Sequence, residues 1–172
     1  GWNRSSIIKI SAAVTSVFLA FFICLLTMNH WKDQGLRYEE LNYLTRPYRS
    51  VFLSSVLIGT AGGTLDTVIT VIATLEELTK RQPEITAKQL WLSGRQVGRD
   101  VIGSMTNILL FVYISGSVPS LLLYLGNQWS FKETIEQHLS LEFLRVIAGS
   151  LGIVLSIPIS VLFFLTVRRL KR

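Results

Sequence analysis

Cysteine occurs once in this chain, at Cys24, and histidine twice, at His30 and His138. A single thiol excludes an intrachain disulfide and a multi-cysteine metal centre. The two histidines have no partner at ligand spacing, so no metal site is expected. The chain also lacks a glycine-rich phosphate loop, a zinc motif and any nucleophile paired with a base at readable spacing. The residues therefore make no case for an enzyme, and they call for no cofactor. Charge is sparse as well: only 16% of the residues are Asp, Glu, Lys or Arg.

What the chain has instead is apolar length. Of its 172 residues, 49% are hydrophobic, and they lie in long blocks with the charges crowded between them. Blocks of about 20 apolar residues match the roughly 30 Å hydrocarbon thickness of a bilayer. A soluble bundle would show amphipathic stripes in place of blocks. The pattern predicts an all-α, polytopic transmembrane helix bundle with four spans, at about 7–28, 51–75, 101–125 and 143–167. Helices satisfy their own backbone groups within lipid, which open strands cannot do. The whole of 1–172 reads as one transmembrane domain. Its start at Gly1 leads us to expect the C-terminal part of a longer protein.

The net charge of +6 would raise nucleic acid as a partner for a soluble protein. Beside such spans it points to basic cytoplasmic loops and anionic headgroups, and no nucleic acid is expected. Lys and Arg count eleven in the N-terminal, central and C-terminal segments that share one side, against six on the other. The positive-inside rule then places both termini in the cytoplasm. Trp2, Trp31, Trp91 and Trp129 all fall at or beyond span ends, as an interfacial aromatic belt would have them.

Short interfacial helices are expected between the spans. Thr86 and Gln89 form a T-x-x-Q capping box after Pro83, opening a surface helix that runs into the third span. Ser130 and Glu133 form an S-x-x-E box before the fourth. Leu41, Leu44 and Tyr48 give a weaker amphipathic pattern before the second.

The residues that most need a reason are polar ones at membrane depth. Asp66 lies near the middle of the second span, where an Asp costs about 2.5–3.5 kcal/mol on insertion scales. Such a residue marks a functional site by default, or else a hydrogen bond to a neighbouring helix. Thr70 and Glu77 lie near the same face, at i+4 and i+11. Where the third span enters the membrane, Gln96, Asp100, Gly103 and Asn107 share a face, with Arg99 and Thr106 beside them. Depth alone suggests pairing Asp66 with Asn107 or Thr106, and Glu77 with Arg99 or Arg95. Gly59 and Gly63 form a G-x-x-x-G pair suited to close helix packing, and Gly94, Gly98 and Gly103 offer more small-residue contacts. Pro119 and Pro158 are expected to kink or interrupt the last two spans. Broken helices serve ion and substrate sites in transporters, and inert kinks occur too.

Three blocks resemble the YibE/F family of bacterial membrane proteins. They are Gly59-Thr-Ala-Gly-Gly-Thr-Leu-Asp66; Ser93-Gly94 through Gly98-Arg-Asp with Gly103-Ser-Met-Thr-Asn107; and Glu142-Phe-Leu-Arg145, Ala148-Gly-Ser-Leu-Gly152 and Ile157-Pro158. Arg95 and Leu65 stand where the family usually has Met. The resemblance implies a multi-pass protein of the bacterial plasma membrane with further spans upstream. It also implies a YibE/F-like partner in a homo- or hetero-oligomer, and no established substrate. Two functions fit the sequence: a transporter or permease-like subunit, and a non-transporting scaffold or assembly subunit.

Overall fold

The apolar blocks fold as helices longer than the spans read from hydropathy. In the computed structural model, which describes residues 4–30, 32 and 48–169, these are α1 (Arg4–His30), α2 (Tyr48–Arg81), α3 (Ala87–Gly126) and α4 (Phe131–Arg169). All four are long and apolar enough to cross a bilayer. Their outer surface confirms the solvent they suit. Ile58, Phe111, Leu122 and Ile147 are each more than 60% exposed, a surface that lipid covers and water does not.

The caps explain the extra length. Thr86 is the N-cap of α3: its hydroxyl accepts from the Gln89 N–H at 3.3 Å, and Gln89 Oε1 accepts from the Thr86 N–H at 2.9 Å. Ser130 and Glu133 make the same reciprocal pair at the start of α4, at 3.2 and 3.3 Å. Both boxes form, but each opens a spanning helix directly. The amphipathic turn after Thr86 is the first part of a 40-residue helix, not a separate surface element. Helical structure also continues through Pro119 and Pro158, so neither span is interrupted. Leu41, Leu44, Trp2 and Trp31, and the side chain of His138, lie outside the described residues.

Neighbouring helices run antiparallel. Lys9 of α1 meets Glu76 of α2 at 3.5 Å near one end, and Arg49 of α2 donates to Asn29 of α1 at 2.5 Å near the other. The α2–α3 and α3–α4 connections are tight. Arg168, in the last turn of α4, donates to the carbonyls of Ile85 at 2.9 Å and Pro83 at 3.0 Å, locking the first connection to the end of α4. Asn127 caps α3, Gln128 takes a left-handed φ of 65°, and Trp129 stacks edge-on against Tyr124 with ring centroids 5.2 Å apart.

Helices α2 and α4 each touch the other three, α4 more extensively, whereas α1 and α3 flank this pair and do not meet. The sequence of α4 suits that place. Ala148, Gly149, Gly152, Ser156 and Ser160 keep it thin, and buried residues cover more than half of its circumference, leaving an exposed strip at Ile147, Val154 and Leu162. Without a hydrophobic drive between helices in lipid, close backbone approach and packing hold such bundles together. A Cβ on Gly152 would sit 2.7 Å from Thr64 Oγ1 and 3.6 Å from the Ala20 Cβ, so α1, α2 and α4 meet at a waist that tolerates no side chain there. Apolar cores lie on either side of this waist. One contains Ala12, Val71, Ile72, Leu75, Leu90 and Val161. The other contains Cys24, Met28, Phe52, Val56 and Leu141.

Candidate functional site

The polar residues at membrane depth fall into two groups with opposite surroundings. The first faces outward. Asp66 and Thr70 are exposed on α2, on a stripe that includes Gly62, Ala73 and Glu77. The Asp66 carboxylate makes no hydrogen bond or ion pair among the described residues. Its main-chain carbonyl only accepts from the Thr70 hydroxyl, at 2.8 Å. On α3, Gln96, Asp100, Gly103 and Asn107 form a second exposed stripe, with Thr106 half-buried at its edge. Gln96 reaches Asp100 at 3.5 Å, and Asn107 is unpartnered among the described residues.

Register explains why these stripes do not join. Leu109 packs beside Gly63 and Gly149, and the Tyr113 hydroxyl lies on Gly59, so α3 is applied to the Gly59–Gly63 face of α2. Antiparallel packing from Leu109–Gly63 brings Thr106 and Asn107 to the depth of Asp66. At 100° per residue, however, Asn107 points about half a turn away from Leu109, off the bundle. Asp66 therefore pairs with neither Asn107 nor Thr106. Glu77 pairs with Arg81 on its own helix at 2.5 Å and leaves Arg95 and Arg99 alone. The depth-based pairings fail because depth fixes the level of a side chain and not its direction.

The glycines divide in the same way. Gly94 and Gly98 lie against Val161 and Ile157 of α4, with a built Cβ only 2.5 Å from each. Gly63 meets Ile153 and Leu109. Gly103 and Gly62, by contrast, have nothing within 4 Å of a built Cβ. Their small size serves no contact within the four helices, and each sits one turn before an outward polar residue, Asn107 or Asp66.

The second polar group is buried and lies outside the residues singled out from the sequence. Arg145 of α4 is one of the six Lys and Arg on the side opposite the termini, although it falls within the fourth span at about 143–167. Its side chain is 9% exposed and forms a close ion pair with Glu142, itself 17% exposed. Its Nε donates to Ser55 Oγ of α2 at 3.0 Å, and its guanidinium lies over the Phe52 ring, 5.1 Å from the centroid. A readable signal existed: Glu142 and Arg145 are three apart, on one helix face, at the mouth of a span. Ser55 and Phe52 could come only from the fold.

Between the two groups the interior is weakly polar. Thr67 and Ser156 return their hydroxyls to carbonyls of their own helices, at 2.8 and 2.7 Å. The hydroxyls of Thr60, Thr64 and Ser160 have no partner among the described residues. Among the described residues no group of three or more His, Cys, Asp or Glu could hold a metal ion. The interior at this depth holds unpaired hydroxyls among the described residues, whereas the unpaired Asp66 carboxylate and Asn107 amide are on the outside.

No curated protein and no solved structure matches the chain. A family model does, over residues 1–169, under the description YibE/F-like protein. That match spans nearly the whole chain and agrees with four membrane-crossing helices, so this multi-pass membrane protein belongs to the YibE/F family.

Proposed function

We propose that the chain is a permease-like subunit of a membrane transporter, with its path formed between this four-helix unit and helices of a partner. The observation that carries this reading is the outward, unpaired Asp66 at mid-membrane depth. A carboxylate there is expensive against lipid and persists where water, an ion or a partner helix meets it. Asp66 and Thr70 would line one wall of the path, and the Asp100–Asn107 stripe a second contact surface. Glu77, Arg99 and Asp100 would stand nearer its basic mouth. Further spans upstream or a second YibE/F-like chain would supply the opposite wall. The basic end of the bundle would face the cytoplasm of a bacterial plasma membrane, with both termini there.

The alternative is a scaffold subunit in which the same residues bind partner helices and nothing moves. Gly62 and Gly103 favour it, since bare glycines beside a polar side chain suit helix contacts. Thiol accessibility separates the two. With Cys24 replaced by serine and Asp66 by cysteine, a membrane-impermeant thiol reagent should label position 66 in the assembled complex from a hydrated path. Complete protection there, together with Asp66→Asn abolishing assembly and leaving no separate growth or flux defect in assembled complex, would reject transport in favour of the scaffold.

A further inference from the structure

A groove of about 410 Å³ runs between α3 and α4 near the basic end of the bundle. One wall is a ladder on α3 at i, i+4, i+8 and i+11: Trp91, Arg95, Arg99 and Ile102. The floor is apolar and comes from α4, through Val154, Ile157, Pro158 and Val161. Ile157 and Val161 are buried under it, whereas Val154 is 44% exposed, so the groove opens sideways toward the lipid. Gly94 and Gly98 draw α3 onto Ile157 and Val161 and set the closed edge of the groove.

The two arginines give this groove a chemical preference. Both are exposed, and neither makes an ion pair or side-chain hydrogen bond among the described residues. Among the described residues Lys80, Lys88 and Arg169 near that end are exposed and unpaired too, whereas Lys9 pairs with Glu76, Arg81 with Glu77, and Arg168 with two carbonyls; of all these cations it is Arg95 and Arg99 that line the groove. Guanidinium groups stay charged and present planar forks matched to phosphate oxygens. Below them lies an apolar channel leading into the bilayer, and beside them an indole of the kind that sits at headgroup level.

From this arrangement we infer that the α3–α4 groove is a binding site for one anionic phospholipid. Arg95 and Arg99 clasp its phosphate, Trp91 flanks the headgroup, and an acyl chain lies along Val154, Ile157 and Pro158. A zwitterionic lipid carries a cation beside its phosphate and satisfies two adjacent guanidinium groups less well. A free phosphate would leave the apolar floor uncovered. Arg99 is shared with the basic mouth of the proposed path, but the groove is separate from the Asp66 stripe and its occupant does not depend on the transport reading.

The test uses the full chain in mixed micelles, with bromine-labelled phosphatidylglycerol and phosphatidylcholine as quenchers. The signal is the Trp91 contribution, taken as the difference between the native chain and Trp91→Phe. Phosphatidylglycerol should quench it at a concentration at least about tenfold lower than phosphatidylcholine. Each cation at a membrane surface is worth about fivefold in affinity, so Arg95→Gln with Arg99→Gln should weaken the effect about 30-fold. Lys80→Gln with Lys88→Gln removes the same charge from the same end and should change it less than about threefold. If the first double variant does not fold, Arg99→Gln alone should give about fivefold, and no change would overturn the proposal. Equal losses in both double variants would reduce the effect to diffuse surface charge and overturn it. So would equal quenching by both lipids, full competition by inorganic phosphate, or a Trp91 that no lipid reaches because a partner helix fills the groove.

Discussion

Arg145 and Asp66 are both ionisable residues within membrane-spanning helices, and the fold treats them in opposite ways. Arg145 is enclosed by Glu142, Ser55 and the Phe52 ring, so its charge is matched and its Nε and Nη1 donate within the bundle. Asp66 stands on the surface of the same bundle with its carboxylate unpaired. The first is complete within one chain. The second has no counterpart among the described residues. The same contrast divides the helices: 50% of the most apolar stretch of α4 is buried, against 6% for α3. The bundle is therefore finished on its α4 side and open on its α3 side, where both Asn107 and the unpacked Gly103 lie.

The contrast can be broken most severely at the buried cluster. Arg145→Met leaves Glu142 enclosed without a counter-charge, which should cost about 3–5 kcal/mol and show as a large loss of folded protein in detergent melts. Replacing Glu142 by Met as well should restore most of that loss. A double variant as unstable as the single one would mean the cluster is not a self-contained pair.

Glycine substitutions test the open and closed faces directly. Gly98→Val drives a side chain into Ile157 and should destabilise the purified chain by about 1–3 kcal/mol. Gly103→Val meets nothing and should stay within about 0.5 kcal/mol, measured in the same melts. If Gly103→Val then blocks complex formation in the membrane, the open face is an interface. Equal destabilisation by the two substitutions would remove the distinction between the faces.

Smaller effects sharpen the edges. Glu76→Gln removes the Lys9 pair between α1 and α2, at side chains about a quarter exposed, and should cost less than about 1 kcal/mol. An effect on stability as small as that of Gly103→Val belongs to the residue with the largest expected role. Asp66→Asn should leave the melting of the isolated chain unchanged within about 0.5 kcal/mol while reducing growth or flux in the assembled complex. A substantial shift in melting would show that Asp66 is already engaged within the four helices.

The elements were legible because their signals are local. Four apolar blocks fix four helices, since a chain in lipid must satisfy its backbone within each segment. The Thr86–Gln89 and Ser130–Glu133 boxes are readable because a cap involves only residues three apart. The boundaries shifted for a related reason. Nothing stops a helix between a capping box and the span that follows, so Thr86 begins α3 itself.

The sequence by itself determined that the described residues hold four helices long and apolar enough to cross a membrane, that the chain belongs with YibE/F-like proteins, and that Asp66 and Asn107 lie within apolar stretches. Hydropathy, spacing and motif identity are properties of the chain and survive without any fold. Only the tertiary structure decided which way those residues point, that α2 and α4 form the central pair, and that Ser55 and Phe52 come to Arg145. It also decided that the Arg95–Arg99 ladder borders a lipid-facing groove. Direction around a helix axis depends on which neighbours pack against it. In this bundle that was settled by glycines that allow close approach on one face of α3 and leave the other uncovered.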